Sequence, residues 1–129
     1  MREILFRGKT EPSKRWIVGD LLRWIDGEMC ICENRNHFEK DKYRVITETV
    51  GQYIGFNDKN GKKIFEGDIV NDEQSGYNYF IKWFPEYACF SLAGKNGNME
   101  FGCDEFEIFL NDLIVIGNIH DNPELLRGE

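Results

Sequence analysis

The chain has little that would take it into or across a membrane. No stretch of its 129 residues approaches the roughly 20 consecutive apolar residues that span a bilayer. The first nine residues carry Arg2, Arg7 and Lys9, but Glu3 interrupts them and no long apolar run follows, so we expect no signal peptide. We therefore expect a soluble, cytoplasmic protein without a membrane partner.

Cysteine is scarce as well. An even number of cysteines predicts a disulfide framework chiefly in short secreted chains. Free cysteines in other proteins are usually buried and behave as small apolar side chains. We therefore expect four reduced and mostly buried thiols, at Cys30, Cys32, Cys89 and Cys103.

No complete set of metal ligands stands out. Cys30, Cys32 and His37 could supply three zinc ligands, but the gap between the cysteines is one residue and a structural zinc site needs four ligands. Alternation along a strand places both cysteines on one face without any metal. We expect no zinc site and no cofactor.

A calcium loop is also incomplete. Asp58 and Asn60 resemble the first ligands of such a loop. Lys62 and Lys63 then stand where the next ligand and the glycine belong, and Ile69 stands at the position of the bidentate acid. We expect no calcium site.

The sequence lacks a recognisable catalytic set, so we expect no enzyme and no catalytic residue. Ser91 lacks the flanking glycines of a nucleophile elbow, and Cys89 lies in a hydrophobic segment. Phe56 stands where the first glycine of a phosphate-binding loop would be. The remaining acidic cluster is more typical of a solvated strand face than of a general acid and base: Asp104, Glu105 and Glu107.

Basic residues are rare in the second half. Residues 1–65 carry 13 Lys and Arg against 10 Asp and Glu, whereas residues 66–129 carry 3 against 13, a balance of +3 and −10 within the net −7. Halves of opposite charge attract each other, within one chain or head to tail between chains. The alternative is that the charges lie apart and are screened over about 8 Å at physiological salt. The asymmetry favours a homo-oligomer.

Short apolar segments and frequent turn residues are what the chain does have. Asp26-Gly27 predicts a tight hairpin, and Asn60-Gly61 predicts a second turn. The stretch 113–119 is apolar on both faces and predicts a central, doubly covered strand. Asn122, with Pro123 after it, predicts a capped helical turn at the end of the chain. The predicted fold class is mainly β. A small β unit, or β-rich α+β unit, covers residues 1–62, and a second unit covers residues 63–129.

Aromatic residues cluster after position 76. Such a patch can grip a peptide or stack bases, or it can simply fill the core of a small barrel. Base stacking normally needs a basic groove, but Lys82 is the only cation between Glu66 and Gly94, so nucleic acid is an unlikely partner for this half. The predicted interaction patch consists of Tyr77, Tyr79, Trp83, Phe84 and Tyr87.

Basic residues at the N-terminal end leave a nucleic-acid alternative open. Either they bind nucleic acid directly, or the acidic half mimics it and occupies a DNA-binding protein of the host. The basic residues are Arg2, Arg7, Lys9, Lys14, Arg15 and Arg23.

Several blocks of sequence follow one another in a fixed order: MREI with Phe6-Arg7, TVGQY at 49–53, Gly55, DKNGK at 58–62, IFEGDIV at 64–70 and VIGNIHDNPELL at 115–126. These blocks resemble the YopX family of phage and prophage proteins. The resemblance covers the whole chain, although residues 72–112 match only in β character. It implies a C-terminal SH3-like barrel, a bacterial host cytoplasm and an unknown function, with no catalytic residues to carry over.

These observations together predict a non-catalytic, oligomerising module that binds a host or phage protein. The glycines and turn residues of the blocks that resemble the YopX family lie where the chain must turn between strands, so we expect their role to be structural.

Overall fold

Short antiparallel strands make up almost the whole fold, which confirms the predicted mainly β class. The computed structural model describes residues 2–34, 38–102, 105 and 110–127. Within those ranges no helix is long and apolar enough to cross a membrane. The strands there are β1 (Phe6–Lys9), β2 (Trp16–Arg23), β3 (Met29–Cys32), β4 (Lys42–Val45), β5 (Gly51–Asn57), β6 (Lys63–Phe65), β7 (Asp68–Asp72), β8 (Asn78–Phe84), β9 (Cys89–Ala93) and β10 (Leu113–Asn118).

The chain divides into two compact units, Met1–Tyr53 and Ile54–Glu129. Strand β5 begins in the first unit and ends in the second. The boundary predicted from the sequence, between residues 62 and 63, lies further along the chain. The structural division comes earlier because Ile54 and Phe56, late in β5, pack against the core of the second unit, to which Ile64 of β6 belongs.

The first unit is a strongly curled sheet. Its strands lie in the order β4-β3-β2-β1, and the start of β5 pairs with β1. An antiparallel bridge joins Thr10 to Val45, and the amide of Ile46 donates to the carbonyl of Lys9 at 2.8 Å, so β4 meets the far end of β1. The curled strands enclose a small apolar core around the buried side chains of Ile17, Ile31 and Val45.

Two glycines allow the strands of the first unit to approach so closely. A Cβ on Gly8 would lie 2.9 Å from the Cβ of Val45, and a Cβ on Gly19 would lie 2.0 Å from the carbonyl oxygen of Cys32. Real Cβ atoms do not approach other atoms that closely, so larger residues at either place would force the strands apart.

The second unit contains a four-stranded antiparallel sheet in the order β10-β7-β8-β9. The predicted SH3-like barrel is compatible with this arrangement and stays a prediction. Four strands and β6 contribute to one buried apolar cluster. Its fully buried members are Ile64, Val70, Ile81, Leu92 and Leu113.

Strand β10 does not hold the predicted central position. It stands at the end of the strand order, where β7 is its neighbour. The register shifts between Val115 and Gly117, a bulge that leaves the Ile116 side chain 40% exposed. An irregularity of this kind turns one residue away from the alternation that the apolar run implied.

The C-terminal helical turn is present as a 3₁₀ helix, Pro123–Leu126. The Asn122 side chain does not cap it, contrary to the sequence prediction. Its Oδ1 instead accepts a hydrogen bond from the amide of Asn118 at 3.3 Å, because the chain doubles back just before the helix.

The cysteines differ from one another. Cys30 and Cys32 are free, and burial raises the pKa of the Cys30 thiol. Cys89 is disulfide-bonded, so the expectation of four reduced thiols is wrong for that residue. Spacing along a sequence does not reveal which cysteines meet in space. Cys103 lies outside the described residues.

Candidate interaction surfaces

Acidic side chains in the sequence blocks that resemble the YopX family accept hydrogen bonds from main-chain amides. Asp58 is only 7% exposed and its carboxylate accepts three main-chain hydrogen bonds. Its Oδ1 accepts the amides of Asn60 and Lys62, each at 2.9 Å, and its Oδ2 accepts the amide of Val115 at 2.9 Å. Asp58 thus closes its own turn and ties that turn to β10, and its oxygens face amide donors where a calcium loop would present them to the ion.

Asp68 and the tail have similar roles. The carboxylate of the fully buried Asp68 accepts the amide of Phe65 at 2.7 Å and so fixes the tight turn between β6 and β7. In the tail, Oδ1 of Asn118 accepts the amides of His120 at 3.0 Å and Asp121 at 2.9 Å. These side chains stabilise turns of the main chain.

Four of the five aromatic residues of the predicted patch line two different cavities, and the patch itself stays a prediction. Tyr77 and Tyr79 line one cavity of the second unit, and Phe84 and Tyr87 line another. Trp83 lines neither of these two cavities, and its ring makes an edge contact with Phe90 at a centroid distance of 4.9 Å. The neighbouring residues Trp83 and Phe84 differ in burial, since Phe84 is buried and Trp83 is exposed.

The first cavity, which we call the tyrosine cavity, has a volume of about 240 Å³. Leu126 of the 3₁₀ helix is the buried apolar residue among its walls. The amide nitrogen of the Asn78 side chain donates to the carbonyl of Leu125 at 2.8 Å and thereby fastens the helix to β8. The lining residues are Tyr77, Asn78, Tyr79, Gly94, Lys95, Glu100 and Leu126.

The walls of the tyrosine cavity are held from behind. The Tyr79 ring makes an edge contact with Phe101 at 5.6 Å, and the Asn71 side chain donates to Oδ1 of Asn78 at 2.8 Å. Desolvation raises the pKa of the Tyr79 hydroxyl, so this residue presents a neutral phenol to the cavity at physiological pH. The result is a small, firm pocket with apolar walls and two charged residues, Lys95 and Glu100.

The second cavity is larger, with a volume of about 440 Å³. Lys82 Nζ donates to the carbonyl of Gly97 at 2.9 Å and lies 5.3 Å from the centroid of the Phe84 ring. Tyr87, 65% exposed, stands in the turn between β8 and β9. Lys82, the cationic residue among the described walls of the second cavity, is therefore already in contact with the Gly97 carbonyl and the Phe84 ring.

A further surface was missed in the sequence. The hairpin between β2 and β3 carries Trp24, 45% exposed, and the fully exposed Ile25 at its end, a pair that we call the hairpin tip. The predicted Asp26-Gly27 turn is present, with Gly27 at φ +92°. An apolar pair directly beside that turn was the available signal, because turn residues normally face water.

Three hydrogen bonds hold the backbone of the hairpin tip. The amide of Trp24 donates to the carbonyl of Glu28 at 2.8 Å, and the amide of Gly27 donates to the carbonyl of Trp24 at 3.0 Å. Oδ1 of Asp26 accepts the amide of Glu28 at 3.0 Å. The two apolar side chains therefore stand on a hydrogen-bonded backbone, so less conformational entropy is lost when a partner binds.

The other residues considered from the sequence are dispersed or lie outside the described ranges. His37, Asp104 and Glu107 are among the residues outside them, and Glu105 is exposed. Where the structure describes the chain, no three His, Cys, Asp or Glu residues come together as a metal-binding group.

Comparison with known proteins identifies the family. The family model described as YopX protein matches residues 5–127, nearly the whole chain. The chain belongs to the YopX family. No curated protein matches it. Among solved structures it is similar to the crystal structure of protein EF1440 from Enterococcus faecalis, with 21% identity, a TM-score of 0.59, and coverage of 98% of this chain and 100% of that one.

The sequence blocks that resemble the family and the two candidate interaction surfaces consist mostly of different residues. The blocks that resemble the YopX family contain Asp58, Asp68 and Asn118, whose side chains bind turn amides. The hairpin tip and most of the tyrosine cavity lie outside those blocks. At 21% identity the solved structure shows the fold alone.

Proposed function

We propose that this YopX-family protein is a non-catalytic module that binds other proteins, copies of itself among them. It would act for a phage or prophage in the cytoplasm of a bacterial host. The observation that carries the proposal is the hairpin tip, where Trp24 and Ile25 stand together in water on a hydrogen-bonded turn.

Adjacent exposed apolar side chains need an explanation that scattered ones do not. Single exposed apolar residues are normal on protein surfaces, whereas contiguous apolar patches mark interaction sites. Burying a large apolar side chain is worth about 1.5–3 kcal/mol, and tryptophan is enriched among the residues that dominate binding energy. Trp24 and Ile25 do not support the core of the first unit, which is centred on Ile17, Ile31 and Val45, so a contact outside the core is the better explanation.

The engaged carboxylates support a non-catalytic role. A general acid or base must have an oxygen that can reach the substrate. Both oxygens of Asp58 accept main-chain amides, and Asp68 is fully buried against the turn that it stabilises. These acids stabilise the fold instead of presenting charge to a ligand.

The two structural units differ in charge. Counted over the two structural units, residues 1–53 carry 10 basic and 9 acidic residues, whereas residues 54–129 carry 6 and 14. The units thus have balances of +1 and −8. Because the negative charge is concentrated in the second unit, two second units repel each other more strongly than a second unit repels the nearly neutral first unit of another copy, so charge favours contacts between unlike units over contacts between like units.

The proposal predicts reversible self-association. In sedimentation velocity over a dilution series, the mass should rise above the 15.2 kDa of a single chain as concentration increases. High salt should weaken the association only in part, because apolar burial persists when charges are screened. A constant mass of one chain at every concentration, at low and at high salt, contradicts self-association.

A second candidate function is nucleic-acid binding by the first unit. Its supporting observation is Trp16, whose ring lies 4.8 Å from the guanidinium of Arg7 and 5.7 Å from the ammonium of Lys9. Other basic residues nearby are paired with acids, as Arg44 is with Glu28 at 2.9 Å. Fluorescence anisotropy with labelled single-stranded DNA separates the two functions, because direct binding would be strong at low salt and fall steeply as salt rises.

A further inference from the structure

We propose that the hairpin tip of one copy inserts into the tyrosine cavity of a second copy, so that the molecules associate head to tail. This inference rests on the self-association proposed above and names the two surfaces that meet. One surface is Trp24 with Ile25, and the other is the cavity between Tyr77, Tyr79 and Leu126.

Size argues for a protein side chain as the occupant of the cavity. Sites for small molecules and cofactors usually measure about 300–1,000 Å³. The tyrosine cavity, at about 240 Å³, falls below that range. Its rings and Leu126 offer apolar contact to one large side chain, and the hairpin tip presents such a side chain on a narrow, projecting turn.

Chemistry matches on the apolar side. Tyr79 is braced by Phe101 and keeps a neutral hydroxyl, so a tryptophan ring would meet an uncharged aromatic wall. Aromatic pairs in edge or offset contact contribute about 0.5–1.5 kcal/mol beyond the area that they bury. Tyr77, exposed beside the cavity, would cover the outer side of an inserted side chain.

Charge matches at the rim. The cavity carries one cation and one anion, Lys95 and Glu100, both exposed. The hairpin tip is flanked by one cation and one anion too, Arg23 and Asp26, both exposed. Arg23 can therefore meet the oppositely charged Glu100, which fixes orientation more than it adds affinity.

A contact between two different surfaces has a consequence for stoichiometry. Each copy carries one tip and one cavity, so a bound pair still has one unused tip and one unused cavity. Such a heterologous contact continues into rings or open chains, whereas a contact of one surface with itself stops at a dimer. The mass should therefore increase stepwise with concentration, beyond two copies.

The test uses two variants of the full chain, each defective at one surface. The tip variant is Trp24→Ser with Ile25→Ser, and the cavity variant is Tyr77→Ser with Glu100→Lys. All four residues are exposed, so folding should be preserved, and circular dichroism checks it. Ile116→Ser, which removes an exposed isoleucine of β10 that belongs neither to the hairpin tip nor to the lining of the tyrosine cavity, is the matched control.

The expected outcome is complementation. Each variant alone should be monomeric, with association weakened at least about 30-fold, the loss typical of a residue that dominates an interface. An equimolar mixture should form a complex of two chains and no more, because only one intact tip meets one intact cavity. The Ile116→Ser control should associate like the unmodified protein.

Other outcomes overturn the inference in distinguishable ways. If the unmodified protein associates and the mixture stays monomeric, the head-to-tail contact is wrong and self-association stands on other surfaces. If the tip variant alone still associates like the control, the hairpin tip is not an interface. If the unmodified protein is monomeric throughout, both this inference and the self-association on which it rests are wrong.

Discussion

Replacing Gly19 by alanine is expected to destabilise the first unit severely. The added Cβ would lie 2.0 Å from the carbonyl oxygen of Cys32 and 2.8 Å from its carbonyl carbon. Both are backbone atoms, and Asp20 pairs with Cys32 in the β2–β3 register, so relief would require the strands to separate. We expect the free energy of unfolding to fall by about 3 kcal/mol or more, measured by urea denaturation followed by circular dichroism.

Gly27→Ala is the matched control in the same unit. Gly27 has φ +92° with open space around it, so alanine there suffers only the strain of a left-handed backbone. That strain costs about 1 kcal/mol. Should Gly19→Ala cost no more than Gly27→Ala, the close approach of β2 to Cys32 cannot be a constraint on this fold.

Replacing Asp58 by alanine is expected to have the second largest effect. The substitution removes the acceptor for three main-chain amides, those of Asn60, Lys62 and Val115. A hydrogen bond to a charged group contributes about 1.5–3 kcal/mol, and a buried donor left without an acceptor adds a penalty. We expect a loss of about 3 kcal/mol or more in the free energy of unfolding, measured in the same denaturation experiment.

Two further variants make the Asp58 prediction graded. In Asp58→Asn the remaining side-chain oxygen can still accept the amides of Asn60 and Lys62, but the new NH₂ group faces the amide of Val115, so the loss should be intermediate. Asn60→Ala removes an exposed side chain and should stay within about 0.5 kcal/mol of the unmodified protein. Equal stabilities for all three variants would contradict the role assigned to the carboxylate.

Local signals in the sequence were sufficient for the β class and for several turns. Asp26-Gly27 and Gly61 lie at turns because positive φ is accessible to few residues, and that preference is readable without tertiary contacts. Pro85 follows the last residue of β8, as its missing amide requires. Such features depend on one or two residues and their neighbours.

Features that depend on distant residues could not be predicted. The apolar run that became β10 was interpreted as a central strand, but the bulge before Gly117 and the position at the end of the sheet order are set by pairing with β7. The disulfide of Cys89 likewise depends on proximity in space. Phe84 and Trp83 are neighbours in sequence, yet one is buried and the other exposed, so aromatic density alone did not define a surface.

The hairpin tip shows a different failure of prediction. The Asp26-Gly27 turn is predicted by the sequence, but the exposure of Trp24 and Ile25 beside it is not. In the structure the turn begins at Trp24, so both side chains leave the sheet before they can contribute to the core. Whether an apolar side chain near a turn is buried in the core or exposed to a partner depends on where the turn lies in the folded structure.

The turn residues of the family stabilise the fold, whereas the hairpin tip serves association. A paired measurement on one variant of the tip separates these two roles. It compares the unfolding free energy and the self-association of the Trp24→Ser variant with those of the unmodified protein, with unfolding measured at a concentration where both are monomeric. Our account predicts an unfolding free energy unchanged within about 0.5 kcal/mol and a self-association weakened at least about 30-fold. A variant that unfolds more easily, yet associates as strongly as before, would contradict it.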